Sequence, residues 1–299
     1  MDSIVGHKKI IDFFEKVKKN NNLSHAYLFV GPKKVGKKKL ALVLSAQLFS
    51  CSEREVYSNP NFILVQRVFD EKKQKTNKNI SVEQIRNLRA SLSLTANGQN
   101  YRIAIVDQAE NMNTESANAL LKILEEPKTK TVIFLISSDE QLLPETIVSR
   151  CQTVNFAPVQ KEIMQDYFLS NSNLPKVEEE MLTLSHGLPG YIFDWLETPE
   201  SYQKHKIEIK RFNDLKNKAF YQKQKIVEEL YGDKSDHILT RENLKNILDT
   251  WQMLFRDEYL RGEFSGTTNN FLEIEEKITQ AKNLIEQNIH PRLLLENIL

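Results

Sequence analysis

Ala26-Tyr27-Leu28-Phe29-Val30-Gly31-Pro32-Lys33-Lys34-Val35-Gly36-Lys37-Lys38 is the stretch whose reading decides the fold. Its first five residues form an unbroken apolar run that stops at Gly31-Pro32, the pattern of a strand buried on both faces of a parallel sheet. A helical segment follows from Lys37 to Phe49, with Leu40, Ala41, Leu44 and Leu48 on one stripe. Between strand and helix, Gly31 and Gly36 permit a tight loop whose N–H groups turn toward phosphate. The helix N-terminus adds partial positive charge, and Lys37 is spaced to reach the β- and γ-phosphates. One position departs from the P-loop pattern. The residue after Lys37 is Ser or Thr when its hydroxyl holds Mg²⁺; here it is Lys38, an ammonium that cannot coordinate a cation and repels one. With no ligand, the same residues are simply a glycine-rich turn.

Working outward, four further apolar runs predict strands: Phe62 to Val65, Ile103 to Val106, Thr131 to Ile136, and Gln152 to Phe156. Helical patterns alternate with them. Ser81-Val82-Glu83-Gln84 is a capping box that opens a helix running to about Thr95. Glu115 to Glu126 is a helix stopped by Pro127, and Glu145 to Ser149 is a short one. The polar stretch Lys72 to Asn79 reads as an exposed loop, and Asn97-Gly98 as a turn. This alternation predicts an α/β domain over 1–157 built on a five-stranded parallel sheet.

The third strand runs into Asp107-Gln108-Ala109-Glu110. A carboxylate at that point is where a P-loop ATPase holds Mg²⁺, and a Glu beside it orients the attacking water. Asp107 suits the first role, although a helix cap or a solvated strand end would use the same residue. Gln108 stands at the second position and is neutral, so it cannot act as a base. Lys38 and Gln108 together remove a metal ligand and the base. The reading is a P-loop scaffold (Gly31, Gly36, Lys37, Lys38, Asp107) that binds ATP or ADP weakly or not at all and requires no cofactor.

Beyond Pro158 no strong strand signal appears. Short helices are expected over 162–169, 177–185 and 190–196, with Gly187-Leu188-Pro189-Gly190 as a turn. From 201 to the end the pattern is helical. This predicts a small helical domain at 158–200 and a helical domain at 201–299. Gly and Pro total 18 residues, about 6% where roughly 12% is usual, which favours long helices over many short strands.

The net charge is +1, from 41 basic and 40 acidic residues, and taken alone this argues against a dedicated basic nucleic-acid binder. The balance hides a segregation. Residues 1–50 carry ten Lys against three acidic residues, a local +7 that leaves −6 for the rest. Cys51 and Cys151 provide neither a disulfide framework nor a metal-ligand spacing, so both read as inert thiols. There is no apolar signal core at the N-terminus and no run of 18 apolar residues, so a cytoplasmic protein without a membrane span is expected.

Ser149-Arg150-Cys151 ends the short helix before the fifth strand. Arg150 is either a surface residue or an arginine finger that reaches the γ-phosphate of a neighbouring subunit. Several segments bear on this choice. They are Ile4-Val5-Gly6-His7, Leu23 to Pro32, and Ile80-Ser81-Val82-Glu83-Gln84-Ile85-Arg86, followed by Ala117 to Pro127 (ANALLKILEEP) and Pro144 to Cys151 (PETIVSRC). Together they resemble the δ′ (delta prime) family of bacterial DNA polymerase III clamp-loader subunits, of the AAA+ class. The resemblance is strong over 1–158, reaches 200 through Gly187 to Gly190, and covers the last third only by length and helicity.

The resemblance implies an AAA+ domain, a helical lid and a C-terminal collar. It implies a five-subunit ring with motor subunits (tau/gamma) and a delta subunit, acting on a sliding clamp and primer–template DNA. It also implies a subunit without ATPase activity of its own, in which Arg150 acts as the finger in trans. Many relatives carry a four-Cys zinc module after the first P-loop helix. Here Cys51 stands alone in that region, so no zinc is expected. Two other readings are an active AAA+ motor subunit, which would need Ser or Thr at 38 and Glu at 108, and a small-molecule P-loop kinase, which leaves no place for the helical C-terminal third.

Overall fold

The five apolar runs pair as one sheet in the computed structural model, which describes residues 3–70, 75–77, 79–93, 101–127, 130–172, 174–216, 237–264 and 266–286. The strands are β1 (Ala26–Val30), β2 (Phe62–Val65), β3 (Arg102–Val106), β4 (Thr131–Ser137) and β5 (Gln152–Asn155). All pairings are parallel, in the order β2-β3-β4-β1-β5. The helices of this part are α1 (Lys8–Lys19), α2 (Lys37–Phe49), α3 (Glu53–Val56), α4 (Val82–Ser93), α5 (Thr114–Glu125) and α6 (Glu145–Val148).

Strand periodicity explains why both faces of the sheet are covered. Ala26 and Leu28 of β1, Ala104 and Val106 of β3, and Ile133 and Leu135 of β4 join one core with Ile85 and Leu88 of α4 and with Leu120 and Leu124 of α5. The alternate residues serve the other face. There Phe14 of α1, 1% exposed, lies 4.9 Å from Tyr27, 5.8 Å from Phe29 and 6.5 Å from Phe134, ring centre to ring centre. Each such side chain contributes roughly 1.5–3 kcal/mol by leaving water. The capping box at Ser81 forms: Ser81 N–H donates to Gln84 Oε1 at 3.0 Å, and Gln84 N–H to Ser81 Oγ at 3.2 Å. Asn113 caps α5 by accepting from Ser116 N–H at 2.8 Å.

The structure corrects two local readings. α2 buries Leu40, Ala41, Leu42, Val43, Leu44 and Ala46, not a single stripe, because α3 packs on the helix as well as the sheet. Within the polar stretch read as a loop, Lys75–Thr76 pairs antiparallel with Phe69–Asp70. The lysine-rich segment 8–19 is a full helix, anchored through Phe14, so its lysines are the outer face of a core helix. The expected turn at Asn97-Gly98 lies outside the described residues.

Among the described residues six helices follow: α7 (Lys161–Ser170), α8 (Glu179–Leu184), α9 (Pro189–Glu197), α10 (Pro199–Lys216), α11 (His237–Leu260) and α12 (Thr268–Glu286). The chain divides into two compact units, 1–193 and 194–299. The second has its own core, in which Phe212, Leu244, Leu248, Trp251, Ile278 and Ile285 are buried between α10, α11 and α12. Arg256 grips Glu275 with two hydrogen bonds of 3.0 and 2.7 Å on its surface. Among the described residues, no helix is long and apolar enough to cross a membrane.

Candidate nucleotide loop and exposed arginine

The loop from Gly31 to Gly36 joins the C-terminal end of β1 to α2, and its shape requires glycine at the first position. Gly31 has φ +147°, and a Cβ there would lie 2.3 Å from the Phe156 carbonyl oxygen. The carbonyls of the loop are held from several directions. Lys37 Nζ donates to Gly31 O and, at 2.7 Å, to Pro32 O. Gly190 N–H, in the first turn of α9, donates to Lys34 O at 2.8 Å. A side chain at 190 would place its Cβ 2.7 Å from that same oxygen. His7 Nε2 lies 3.0 Å from Val35 O. Since a carbonyl only accepts, that nitrogen carries the proton. Burial lowers the His7 pKa and keeps the ring neutral.

Lys37 is 6% exposed. Burial pulls its pKa down to about 8, against the opposing pull of Glu110 and Asp107. The unfolded lysine titrates near 10.4, so between about pH 8 and 10 the unfolded chain binds more protons than the folded one. Stability therefore rises with pH through that window. Wild type should gain on the order of 3 kcal/mol relative to Lys37→Met between pH 8 and 10. Denaturant unfolding at a series of pH values reads this directly, and a pH-independent difference between the two proteins would contradict it.

Lys38 and Asp107, 69 residues apart, meet. Lys38 Nζ lies 2.9 Å from Asp107 Oδ2 and 3.0 Å from Gln66 Oε1. The pairing follows from the sheet, since β2 and β3 end side by side and Asp107 N–H donates to Val65 O at 2.8 Å. An ammonium thus sits on the carboxylate that a metal would need. The residues present do not fit Mg²⁺: one ligand type is missing and the other is already neutralised.

Gln108 is turned away from any water-orienting role. It has φ +55°, and its side-chain oxygen accepts from Asn111 Nδ2 at 3.0 Å. Glu110 is the carboxylate that pulls most on Lys37; its Oε1 accepts from Ser138 Oγ at 2.9 Å. Of the lysines near the loop, Lys39 is committed elsewhere, 2.6 Å from Glu53.

Arg150 lies at the other end of the sheet. It precedes β5, and the β1–β5 register pairs Tyr27 with Gln152 and Val30 with Asn155. Six residues of β1 direction therefore separate the level of Arg150 from Gly31, roughly 20 Å at 3.3 Å per residue. β5 is an edge strand. The guanidinium is held at two points: Nη1 donates to Thr146 O at 2.9 Å and Nη2 to Glu125 Oε1 at 2.7 Å. Neighbouring Cys151 is half-buried, and desolvation pushes its thiol up to about 12, so little of it is thiolate. Cys51 is half-buried and also shifted up.

Comparison with known proteins now bears on these residues. The family described as "DNA polymerase III, delta subunit" matches residues 6–160, just over half of the chain. The chain belongs to this family. Among curated relatives it is 31% identical over 181 residues to DNA polymerase III subunit delta′ of Bacillus subtilis, covering 56% of this chain and 53% of that one. It is 32% identical over 184 residues to subunit delta′ of Pseudomonas aeruginosa, covering 56% and 54%. It is 27% identical over 192 residues to subunit tau of Bacillus subtilis, covering 62% of this chain and 33% of that one. The chain spans about half the length of the delta′ relatives it matches. The δ′ resemblance read from the motifs agrees with the family match.

The structure brings Gly31, Gly36, Lys37, Lys38 and Asp107 to the C-terminal end of the strands and leaves Arg150 at the opposite, N-terminal end. Four residues of this arrangement escaped the sequence reading. Gln66, Glu110, Glu125 and Gly190 each act through partners at least 24 residues away, and no local spacing marks them. Glu110 lies in the segment that follows β3, Glu125 in Ala117 to Pro127 and Gly190 in Gly187 to Gly190, but none of those segments pointed to its partner.

Proposed function

We propose that this chain is a delta prime-type subunit of a DNA polymerase III clamp loader that does not hydrolyse ATP itself and supplies Arg150 in trans to the site of a neighbouring motor subunit. The Lys38–Asp107 ion pair is the observation that carries the first half, because it occupies the carboxylate that would hold the metal of a working ATPase. The distance of Arg150 from its own loop supports the second half. An arginine whose backbone lies roughly 20 Å along the strands from the phosphate end of its own sheet serves another molecule if it serves any phosphate. In the ring it would donate to the γ-phosphate of the neighbour's nucleotide and neutralise charge developing during transfer.

On this reading residues 158–200 form the helical lid and 201–299 the collar that joins the subunits of a five-membered ring. The partners are tau/gamma-type motor subunits, a delta subunit, the sliding clamp and primer–template DNA, in the cytoplasm. The basic segment at 1–50 provides a share of sequence-independent backbone contacts. The similarity to a tau subunit favours a second reading, an active motor. Lys38 and Gln108 weigh against it, since both working side chains are replaced. Purified chain should show no ATPase activity. Turnover that disappears in Lys37→Ala would establish the motor reading instead.

A further inference from the structure

The ion pair that holds Arg150 sits where helix stability alone would not put it. Glu125 is the last residue of α5 and is followed by Glu126. The C-terminal end of a helix carries partial negative charge from its unpaired carbonyls, so two carboxylates there are unfavourable. Both side chains of the Glu125–Arg150 pair are substantially exposed, 48% and 36%, and such a pair contributes little to folding. What it does accomplish is geometric. Arg150 follows the single turn of α6, with a long side chain that free in solvent would sample many rotamers. Thr146 O and Glu125 Oε1 take one N–H each from the two terminal nitrogens, at 2.9 and 2.7 Å. The planar group is thereby fixed in position and tilt before any partner arrives.

We propose that Glu125 is a positioning residue for Arg150. It pre-orients the guanidinium so that docking onto the neighbour's phosphate does not first have to order it. The inference rests on the finger reading given above. It predicts an effect on the chemical step and not on how tightly the neighbour holds ATP, because Glu125 acts through the guanidinium, whose charge matters most as charge develops on the transferred phosphoryl group.

The test uses the complete loader, assembled from this chain with its motor and delta subunits, the motor sites that do not face this chain carrying an inactivating substitution, with clamp and primed DNA present. Steady-state ATPase is measured for wild type, Glu125→Gln, Glu125→Ala and Arg150→Ala. Glu125→Gln keeps the shape and one weaker acceptor. Expected is a three- to tenfold fall in kcat with KM for ATP within twofold of wild type, and a larger fall for Glu125→Ala. Thermal unfolding of the isolated variants should match wild type. A wild-type or raised kcat in both Glu125 variants, or a change confined to KM, overturns the inference provided Arg150→Ala is impaired. If Arg150→Ala is itself unimpaired, the finger reading fails, and the role of Glu125 fails with it.

Discussion

Replacing Lys38 with threonine should create a magnesium-dependent nucleotide site in this chain. One carboxylate decides the outcome. Asp107 ends β3 and is paired at 2.9 Å with Lys38 Nζ. A divalent ion approaching Asp107 meets an ammonium already in place and close enough to repel it. Threonine at 38 removes that charge, supplies a hydroxyl at the head of α2 and leaves Asp107 free to accept a metal. Lys37 and the loop glycines are unchanged. Binding of a fluorescent ATP analogue, titrated with Mg²⁺ and with EDTA, reads the result. Wild type should show weak or no binding in both media. Lys38→Thr should bind at least tenfold more tightly with Mg²⁺ than without, about 1.4 kcal/mol or more. Hydrolysis should still be absent, because Gln108 has no charge and is tied to Asn111 at 3.0 Å. Equal, Mg²⁺-independent behaviour of the two proteins would show that the ion pair does not govern the site.

Much of the α/β fold was legible because its central strands β1, β3 and β4 are buried on both faces. Ala26 to Val30 and Thr131 to Ile136 contain no polar interruption, and a run with no exposed face admits few structures other than a central parallel strand. Glycine at 31 and 36 then marked the loop. Illegible were features set by the order of strands. Lys38 is plainly incompatible with a metal on paper. Its partner became visible only once β2 and β3 ended side by side and brought Gln66 and Asp107 to it. The short pairing of Phe69–Asp70 with Lys75–Thr76 lies in a polar segment whose composition resembles a loop. α1 concealed its core role behind lysines, since Phe14 alone among its residues is fully buried.

Removing the guanidinium at 150 is the other large effect. An arginine finger acts where charge builds up on the transferred phosphoryl group and is worth 10³–10⁵ in rate in the best-studied transfers. A loader has several sites, and only the one facing this chain loses its finger, so the overall fall is smaller than the effect at that site. Arg150 is half-exposed; among the described residues its side chain bridges Glu125 and Thr146 O and belongs to neither of the two cores. Arg150→Ala should therefore fold and assemble as wild type does. A lost finger also predicts that clamp loading falls in parallel with ATPase, because the two are coupled through the same site.

The most direct measurement is single-turnover ATP hydrolysis in a loader whose other motor sites carry an inactivating substitution, leaving active only the site that faces this chain. With wild-type chain that site should turn over on DNA and clamp. With Arg150→Ala in an equally well assembled complex the rate should drop by at least a hundredfold, about 2.7 kcal/mol. A rate unchanged by Arg150→Ala would contradict the assignment of Arg150 as the finger, and with it the role proposed for this chain.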